Sequence, residues 1–304
     1  MQEKKRVIAL GFFDGVHLGH GALLSRVGEV AAATGYTPAA VTFDTHPDQL
    51  VTGSPVALIN SPADRAELMR HKYGIREVIV FHFDERTMKM PWEDFITEYL
   101  IKEHGAAHLV AGHDFHFGYM GRGNPARLKA KCAELGVGCD IIPKVEKDGI
   151  TISSTYIRTL IRQGEMERAA EFLGHPHLLT DTVAHGKKLG TTLGIPTVNL
   201  RFQPGVIIPA HGVYATMVTL ADGSRYPAAT NVGIRPTVDR DGAVTVEGYI
   251  LGGFSGDLYG QTLRMEFHKF LRGEKQFATL EELRAEVRQN AQQTEAYFSE
   301  NKQS

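Results

Sequence analysis

Residues 7–20 read Val-Ile-Ala-Leu-Gly-Phe-Phe-Asp-Gly-Val-His-Leu-Gly-His, and this stretch decides the fold of the first half of the chain. Its apolar run, 7–13, lies between basic residues and Asp14-Gly15, which is typical of a buried parallel strand. Apolar residues at helical spacing follow from His20 to Thr34, and Gly35 is placed to end a helix. The stretch therefore predicts a strand, a tight turn and a helix.

The same alternation continues to residue 145. Further strands are predicted at 39–43, 77–83, 107–111 and 140–145. Helices are predicted from 62 to Gly74, over 91–103, and from 125 to Gly136, the first after Ser61-Pro62 and the last after Asn124-Pro125. Strands separated by helices indicate a parallel α/β sheet with right-handed crossovers, whose ligands bind beyond the carboxyl ends of the strands.

The second half has a different pattern. Strand-like runs at 213–220, 245–251 and 262–270 are separated by Gly-, Asp- and Pro-rich turns, which predicts an antiparallel barrel or sandwich. A capping box, Thr279 with Glu282, opens a final helix whose Leu280, Leu283 and Val287 form one apolar stripe. A short helical segment at 156–173 and the break at Gly174 join the halves. We therefore expect domains at 1–174 and 175–304.

Composition and charge exclude several classes of protein. The chain has 304 residues, 33 basic and 35 acidic, so its net charge of −2 gives no basic surplus for nucleic-acid binding. Cys132 and Cys139 have neither disulfide-scaffold nor zinc spacing. No apolar stretch approaches the roughly 18 residues of a membrane span, and 7–13 is too short for a signal peptide. These features predict a cytoplasmic protein, and self-association is left open.

Two histidines three residues apart, His17 and His20, lie where the first strand gives way to a helix. A helix N-terminus offers free N–H groups and a positive dipole end to a phosphate, and Gly15 and Gly19 allow close approach. Two imidazoles there can hydrogen-bond the oxygens of a phosphoryl centre as charge builds up. A turn with incidental histidines is the alternative interpretation.

Two more segments have residue types suited to phosphate. Residues 152–158, Ile-Ser-Ser-Thr-Tyr-Ile-Arg, form a hydroxyl-rich helix start with an arginine one turn in, although such a start is often only a cap. Residues 185–199 form a Gly-rich loop with Lys187 and Lys188 before Pro-Thr-Val-Asn, where backbone N–H groups can hold phosphates and a hydroxyl and an amide oxygen can reach Mg²⁺. It is not a Walker loop, and a plain β-turn is the alternative.

Together these motifs resemble a known family. Residues 11–20 are similar to the His-x-Gly-His signature of nucleotidyltransferases in the longer form found in bacterial bifunctional riboflavin kinase/FMN adenylyltransferases, the FAD synthetases. Residues 111–118, 152–158, 190–199, 212–215, 231–237, 246–247, 257–260 and 270–274 resemble later motifs of that family in the same order. The resemblance implies a Rossmann-like α/β nucleotidyltransferase domain, then a mostly antiparallel β-barrel riboflavin kinase domain with a C-terminal helix.

The resemblance implies an ATP site for FMN adenylylation in the first domain. His17 and His20 would stabilise the transition state at the α-phosphate of ATP, and the 153–158 residues would hold the departing pyrophosphate. Asp114 would contact ribose or metal, and a loop-capping role is the alternative. The neighbouring His113 and His116 could bind a metal or serve a structural role. The implied nucleotide-binding residues of this domain are Gly11, Phe13, Asp14, His17, His20, Asp114, Ser153, Ser154, Thr155 and Arg158.

The second domain is implied to phosphorylate riboflavin with ATP. Glu247 would be the general base for the ribityl 5′-hydroxyl, and Thr197 and Asn199 would bind Mg²⁺. Asn231 and Arg272 would contact the flavin, although Arg272 could instead be an ordinary surface arginine. The implied nucleotide-binding residues here are Gly186, Lys187, Gly190 and Gly194. Thr191 stands where the family usually has arginine, and residues 247–254 lack the family's His and Asp, which leaves the strength of the kinase step open.

The sequence thus predicts an enzyme that makes FMN from riboflavin and then FAD from FMN. The main alternative is an FMN adenylyltransferase with a weak or inactive flavin-binding kinase domain. A flavin- or nucleotide-binding regulator without turnover is disfavoured by the base aimed at a hydroxyl. An aminoacyl-tRNA synthetase is disfavoured by the short chain and near-neutral charge. We expect small-molecule substrates and no nucleic-acid or membrane partner.

Overall fold

The computed structural model describes residues 4–46, 49, 53–82, 84–184, 197–234, 244–254 and 256–301. The chain divides into two compact units. The first comprises Met1–Ala57 and Pro62–Ser154, and the second comprises Leu58–Ser61 and Thr155–Ser304. Each unit is described by itself. The functional boundary predicted after residue 174 stays a prediction.

The described part of the first unit is built on a parallel sheet of five strands in the order β3-β2-β1-β4-β5. The strands are β1 Arg6–Leu10, β2 Thr37–Phe43, β3 Glu77–Phe81, β4 Ala106–Gly112 and β5 Gly138–Ile142. The predicted α/β class is confirmed. β1 is central, its residues Val7–Leu10 are buried, and it ends at Leu10 rather than at residue 13. A short hairpin, β6 Glu146–Lys147 and β7 Ile150–Thr151, follows β5.

Turn and capping residues mark most of the described helix ends of this unit, although the first helix begins at Leu18 rather than at His20 and the helix Glu85–Met88 was not predicted. The helices are α1 Leu18–Thr34, α2 Pro62–Tyr73, α3 Glu85–Met88, α4 Trp92–Asp94, which continues in π-helical turns over Phe95–Glu103, and α5 Pro125–Leu135. Gly35 ends α1 in the left-handed conformation, with φ 73°. The Asn124 side chain caps α5 by accepting the Arg127 N–H at 2.9 Å.

The second unit is an antiparallel sheet of six described strands in the order β8-β13-β10-β11-β12-β9. They are β8 His177–Thr182, β9 Thr197–Leu200, β10 Gly212–Thr219, β11 Arg225–Ile234, β12 Val244–Ile250 and β13 Thr262–Gly273. Two hydrogen bonds show that the outer strands, β8 and β9, lie close together. The Ala184 N–H donates to the Asn199 carbonyl at 3.0 Å, and the Arg201 N–H donates to the Asp181 carboxylate at 2.8 Å. The sheet therefore curls into the predicted barrel.

The described residues of this unit also form three helices: α6 Ser154–Gln163, whose first residue belongs to the first unit, α7 Met166–Leu173 and α8 Leu280–Glu300. Thr279 caps α8 as predicted, accepting the Glu282 N–H at 3.2 Å, and the Glu282 carboxylate accepts the Ala278 N–H. The predicted apolar stripe is wrong at Leu280, which is 54% exposed. The buried side chains of α8 are the polar Asn290 and Thr294.

A histidine lies in the core of the second unit. His177 is fully buried against the rings of Phe202 and Phe267, which also contact each other, and neither of its ring nitrogens has a hydrogen-bond partner in the described part of the chain. Burial, with a smaller contribution from the charge of His175, lowers the pKa of His177 to about 3. The folded protein therefore holds this imidazole neutral.

We predict that His177 makes the protein less stable in mild acid. Its folded pKa lies below the unfolded value of about 6.5, so between these values the unfolded chain binds more protons and stability falls as pH falls. His177→Phe removes the titrating group. Relative to the parent, the free energy of unfolding of His177→Phe measured with urea should be about 2 kcal/mol higher at pH 5 than at pH 8. The same difference at both pH values would contradict this account.

Candidate active sites

The loop between β1 and α1 has an unusual backbone. Phe13 and Val16 are buried, non-glycine residues with positive φ, 59° and 42°, a conformation that is strained for bulky side chains. Hydrogen bonds hold the loop in this form. The Val16 N–H donates to the Phe13 carbonyl at 3.0 Å, and the Ser154 hydroxyl donates to the Asp14 carbonyl at 2.9 Å. The start of α1 is therefore fixed relative to the end of β1.

His17 is the N-cap of α1. Its Nδ1 accepts the backbone N–H of His20 at 3.2 Å, so a neutral His17 carries its ring proton on Nε2. The ring stacks on that of His20, with 3.6 Å between centroids and 12° between planes. A Cβ on Gly19 would lie 3.1 Å from the His17 ring, which explains the glycine between the two histidines. Because the capping bond uses Nδ1, a ligand contact by His17 would be made through Nε2.

His20 is held as a neutral imidazole. The edge of the Phe13 ring contacts it, with 5.2 Å between centroids, and its Nδ1 is buried without a hydrogen-bond partner among the described residues. Burial, the neighbouring His17 and Arg65, in that order, lower the pKa of His20 well below its usual value. Near pH 7 the site thus combines the neutral imidazole of His20 and the capping ring of His17 with the positive end of a 17-residue helix, an arrangement suited to a phosphoryl group.

Arg65, on α2, is a residue of this region that sequence reasoning missed. It is 1% exposed, and its guanidinium donates to the carbonyl oxygens of Phe12 at 2.8 Å and Phe43 at 3.0 Å. The signal that could have found it is helical spacing, because Leu68 and Met69 lie three and four residues later on the same buried face.

The 153–158 residues are divided between the two units. Ser153 and Ser154 belong to the first unit, where the Ser154 hydroxyl binds the loop at Asp14. Thr155 and Arg158 lie on α6 in the second unit, the former exposed and the latter half-buried. The structure thus connects Ser154 to the loop that carries the histidines. The predicted phosphate contacts of the four residues stay predictions.

Asp114 follows β4, the neighbour of β1, and therefore lies at the edge of the sheet where strands end. Its side chain is exposed, with the His113 Nδ1 3.9 Å from its Oδ1, and the His116 Nδ1–H donates to its backbone carbonyl at 2.9 Å. No group of three or more His, Cys, Asp or Glu residues able to hold a metal ion occurs in the described part of the chain. The geometry favours a structural role for His116, and a ribose contact by Asp114 stays a prediction.

In the second unit, strand register brings three predicted site residues together. Asn199 on β9 pairs directly with Glu247 on β12, which pairs directly with Asn231 on β11. Residues directly opposite each other in antiparallel strands project from the same face. Val198 and Leu200 are buried while Thr197 and Asn199 are half-buried, so this face is opposite to the one that packs in the core. We call these three residues the register row.

The register row extends across the sheet. Asn231 pairs with Val213 on β10, and Val213 pairs with Arg272 on β13. The Arg272 Nε lies 2.8 Å from the Glu286 carboxylate and 3.2 Å from the Asn290 amide oxygen, both on α8, and its Nη1 donates to the Gly273 carbonyl. Arg272 is therefore anchored to the C-terminal helix, and its predicted contact with a flavin stays a prediction.

The Gly-rich loop lies outside the described residues. Its members Gly186, Lys187, Lys188, Gly190, Thr191 and Gly194 directly precede β9 in the chain. The first described residue after it is Thr197, on the same strand and face as Asn199. Residues 235–243 are also outside the described part.

Comparisons with known proteins match both units. The FAD synthetase family model matches residues 1–156, and the riboflavin kinase family model matches residues 173–298. Proteins named bifunctional riboflavin kinase/FMN adenylyltransferase are similar to nearly the whole chain. The protein from Listeria monocytogenes is 35% identical, and the similarity covers 97% of this chain and 93% of the relative. The protein from Bacillus subtilis is 32% identical, and the similarity covers 98% of this chain and 94% of the relative.

A solved structure is similar over the whole length. A crystal structure of a Streptococcus pneumoniae protein named as a macrolide-efflux protein gives a TM-score of 0.84 at 28% identity, covering 97% of this chain and 95% of that one. In the described residues of the present chain, no helix is long and apolar enough to span a membrane.

Proposed function

The chain belongs to the bifunctional riboflavin kinase/FMN adenylyltransferase family, and on that premise we propose which residues carry out each reaction. It phosphorylates riboflavin with ATP to give FMN and ADP, and it adenylylates FMN with a second ATP to give FAD and pyrophosphate. Matches to both family models favour this activity over an adenylyltransferase with an inactive kinase domain. The proposal rests on one observation: His17 and His20 stack in the first unit, and Glu247 lies between Asn199 and Asn231 in the second.

We assign adenylyl transfer to the His17–His20 pair. The Nε2–H of His17 points away from its capping bond, and His20 is neutral, so each ring can donate one hydrogen bond to a nonbridging oxygen of the ATP α-phosphate. The FMN phosphate is already anionic and needs no strong base. Catalysis is then positioning plus stabilisation of the charge that develops at the α-phosphate. Ser153, Ser154, Thr155 and Arg158 are assigned to the pyrophosphate that leaves.

We assign riboflavin phosphorylation to the register row. The ribityl 5′-hydroxyl is a neutral nucleophile, so it benefits from a base that takes its proton during attack on the γ-phosphate. Glu247 lies between Asn199 and Asn231 in the row, where an ATP on the β9 side and a flavin on the β11 side would both be within reach of its carboxylate. The loop that contains Gly186, Lys187, Gly190 and Gly194 would hold the ATP phosphates.

Thr197 and Asn199 fit a magnesium ion. Both offer oxygen donors, a hydroxyl and an amide carbonyl, from alternate positions on one face of β9. Mg²⁺ prefers oxygen ligands and usually keeps several waters or phosphate oxygens, so two protein donors suffice. When bound, it would neutralise charge on the ATP phosphates. The two side chains would orient the nucleotide towards Glu247.

We also propose a cytoplasmic location, which the two free cysteines support. Whether the chain self-associates stays an open prediction.

We predict that His17→Asn separates catalysis from helix capping. Asparagine is a good N-cap, so the free energy of unfolding should change by no more than about 0.5 kcal/mol. The variant lacks the Nε2–H donor, and FAD formation from FMN and ATP should fall about 10²- to 10³-fold. Rates of FMN formation from riboflavin should be retained. His71→Asn, which changes an exposed histidine on α2, is the matched control, and equal adenylylation rates in the two variants would refute the assignment.

We predict that Glu247→Gln has the reverse effect. The amide keeps the shape of the side chain and cannot accept the proton, so ADP release from riboflavin and ATP should fall about 10²- to 10⁴-fold. FAD formation from supplied FMN should persist at the parent rate. Glu281→Gln, an exposed position on α8, serves as control. Loss of both activities in Glu247→Gln would show that the base assignment is wrong or that the two sites are not separate.

A further inference from the structure

Arg65 is a buried cation at the carboxyl-end edge of the parallel sheet. It is 1% exposed and lies under the ends of β1 and β2, which are neighbours in the sheet. Its Nη1 donates to the Phe12 carbonyl and its Nη2 to the Phe43 carbonyl, at 2.8 and 3.0 Å. One planar guanidinium therefore joins the two residues at which the central strands give way to loops.

Among the described residues, no carboxylate forms a hydrogen bond with the Arg65 guanidinium. In the described part of the chain its hydrogen-bond acceptors are carbonyl oxygens, its Nε is buried without a partner, and its guanidinium lies 4.4 Å from the centroid of the Phe12 ring. Asp14 and Asp44 act on it only through space. Burial lowers the pKa of Arg65 to about 10, so the residue is still charged near neutral pH. Burying an unpaired cation is costly, and such a group needs a compensating role.

The Phe12 carbonyl connects Arg65 to the loop that carries His17 and His20. Thr42 also donates to it, at 2.8 Å, so two side chains from different elements fix the peptide that precedes the left-handed Phe13. From Phe13 the chain passes through the turn at Asp14–Val16 to His17, the cap of α1. The orientation of the stacked His17 and His20 rings thus depends on where the Phe12 carbonyl is held.

We propose that Arg65 is a positioning residue for adenylyl transfer: by joining the carbonyls of Phe12 and Phe43 it holds the loop that carries His17 and His20 in the orientation required by the transition state. The inference rests on the proposed roles of His17 and His20. Arg65 itself touches neither substrate nor the reacting atoms. Its positive charge also helps to keep His20 neutral, after burial and His17.

Two substitutions in the full-length protein separate the components of this role. Arg65→Lys keeps the charge but can reach only one of the two carbonyls, and Arg65→Met removes both the charge and the donors while keeping an apolar stem. Arg70→Met removes an exposed cation from the same helix and is the matched control. For each protein the kcat and the KM for FMN and ATP are measured in adenylylation, together with riboflavin phosphorylation and thermal unfolding.

A displaced catalytic pair should lower kcat and leave substrate binding nearly intact. We expect the kcat of adenylylation to fall about 100-fold in Arg65→Met and about tenfold in Arg65→Lys, with KM changed less than about threefold. Riboflavin phosphorylation and Arg70→Met should match the parent. Partial rescue by lysine distinguishes a positioning role from general destabilisation, and Arg65→Lys carries the test alone if Arg65→Met does not fold.

Three outcomes would overturn the inference: unchanged kcat in folded Arg65→Met or Arg65→Lys, a change confined to KM, or equal losses of both activities. These results differ from failure of the proposed function itself. If His17→Asn leaves adenylylation intact, the assignment of the histidines fails. If His17→Asn abolishes it while the Arg65 variants are normal, only the role of Arg65 fails.

Discussion

The Phe12 carbonyl accepts hydrogen bonds from Thr42 and Arg65, and these bonds hold the chain between the end of β1 and the start of α1. Without them the apolar run could continue as a strand through Phe13, which is how the sequence pattern reads. The left-handed backbone at Phe13 and Val16 costs free energy, and it persists because the surrounding contacts stabilise it. The strained turn brings His17 to the helix N-terminus, where its Nδ1 caps α1.

The second unit depends on a different constraint, the register of its antiparallel strands. Because side chains alternate between faces, a slip of one residue would move Glu247 to the core face and Val246 to the opposite one. On the core side, Gly248 pairs with Val198 and Thr230. The space there is filled, because a Cβ on Gly248 would lie 2.9 Å from the Met265 side chain and 3.1 and 3.2 Å from those of Val198 and Thr230. Core packing therefore fixes the register that aligns Asn199, Glu247 and Asn231.

The fold of the first unit was largely predictable because its signals are local. Apolar runs, Gly35 and Asn124 mark the strands and helix ends within a few residues of where they occur. β11 was missed, because it contains Pro227, Ala228 and Gly233, which have low strand propensity, and it is stabilised by pairing with strands on both sides.

Contacts distant in the chain were beyond sequence reasoning. Arg65 lies 53 residues from Phe12 and 22 from Phe43, so nothing near it in the sequence shows what it binds. Likewise, Asn199, Glu247 and Asn231 come from separate segments, and only strand pairing shows that they share a row. The resemblance to the family indicated these residues individually. Their geometry required the structure.

The central claim is that two separate sites act in succession, and mixing two variants tests it most directly. Riboflavin, ATP and Mg²⁺ are incubated with His17→Asn, with Glu247→Gln, and with an equimolar mixture, and riboflavin, FMN and FAD are separated over time. We predict that His17→Asn accumulates FMN, that Glu247→Gln leaves riboflavin unchanged, and that the mixture forms FAD after a lag in which FMN appears. A mixture that forms no FAD while the same variants are folded would contradict the account.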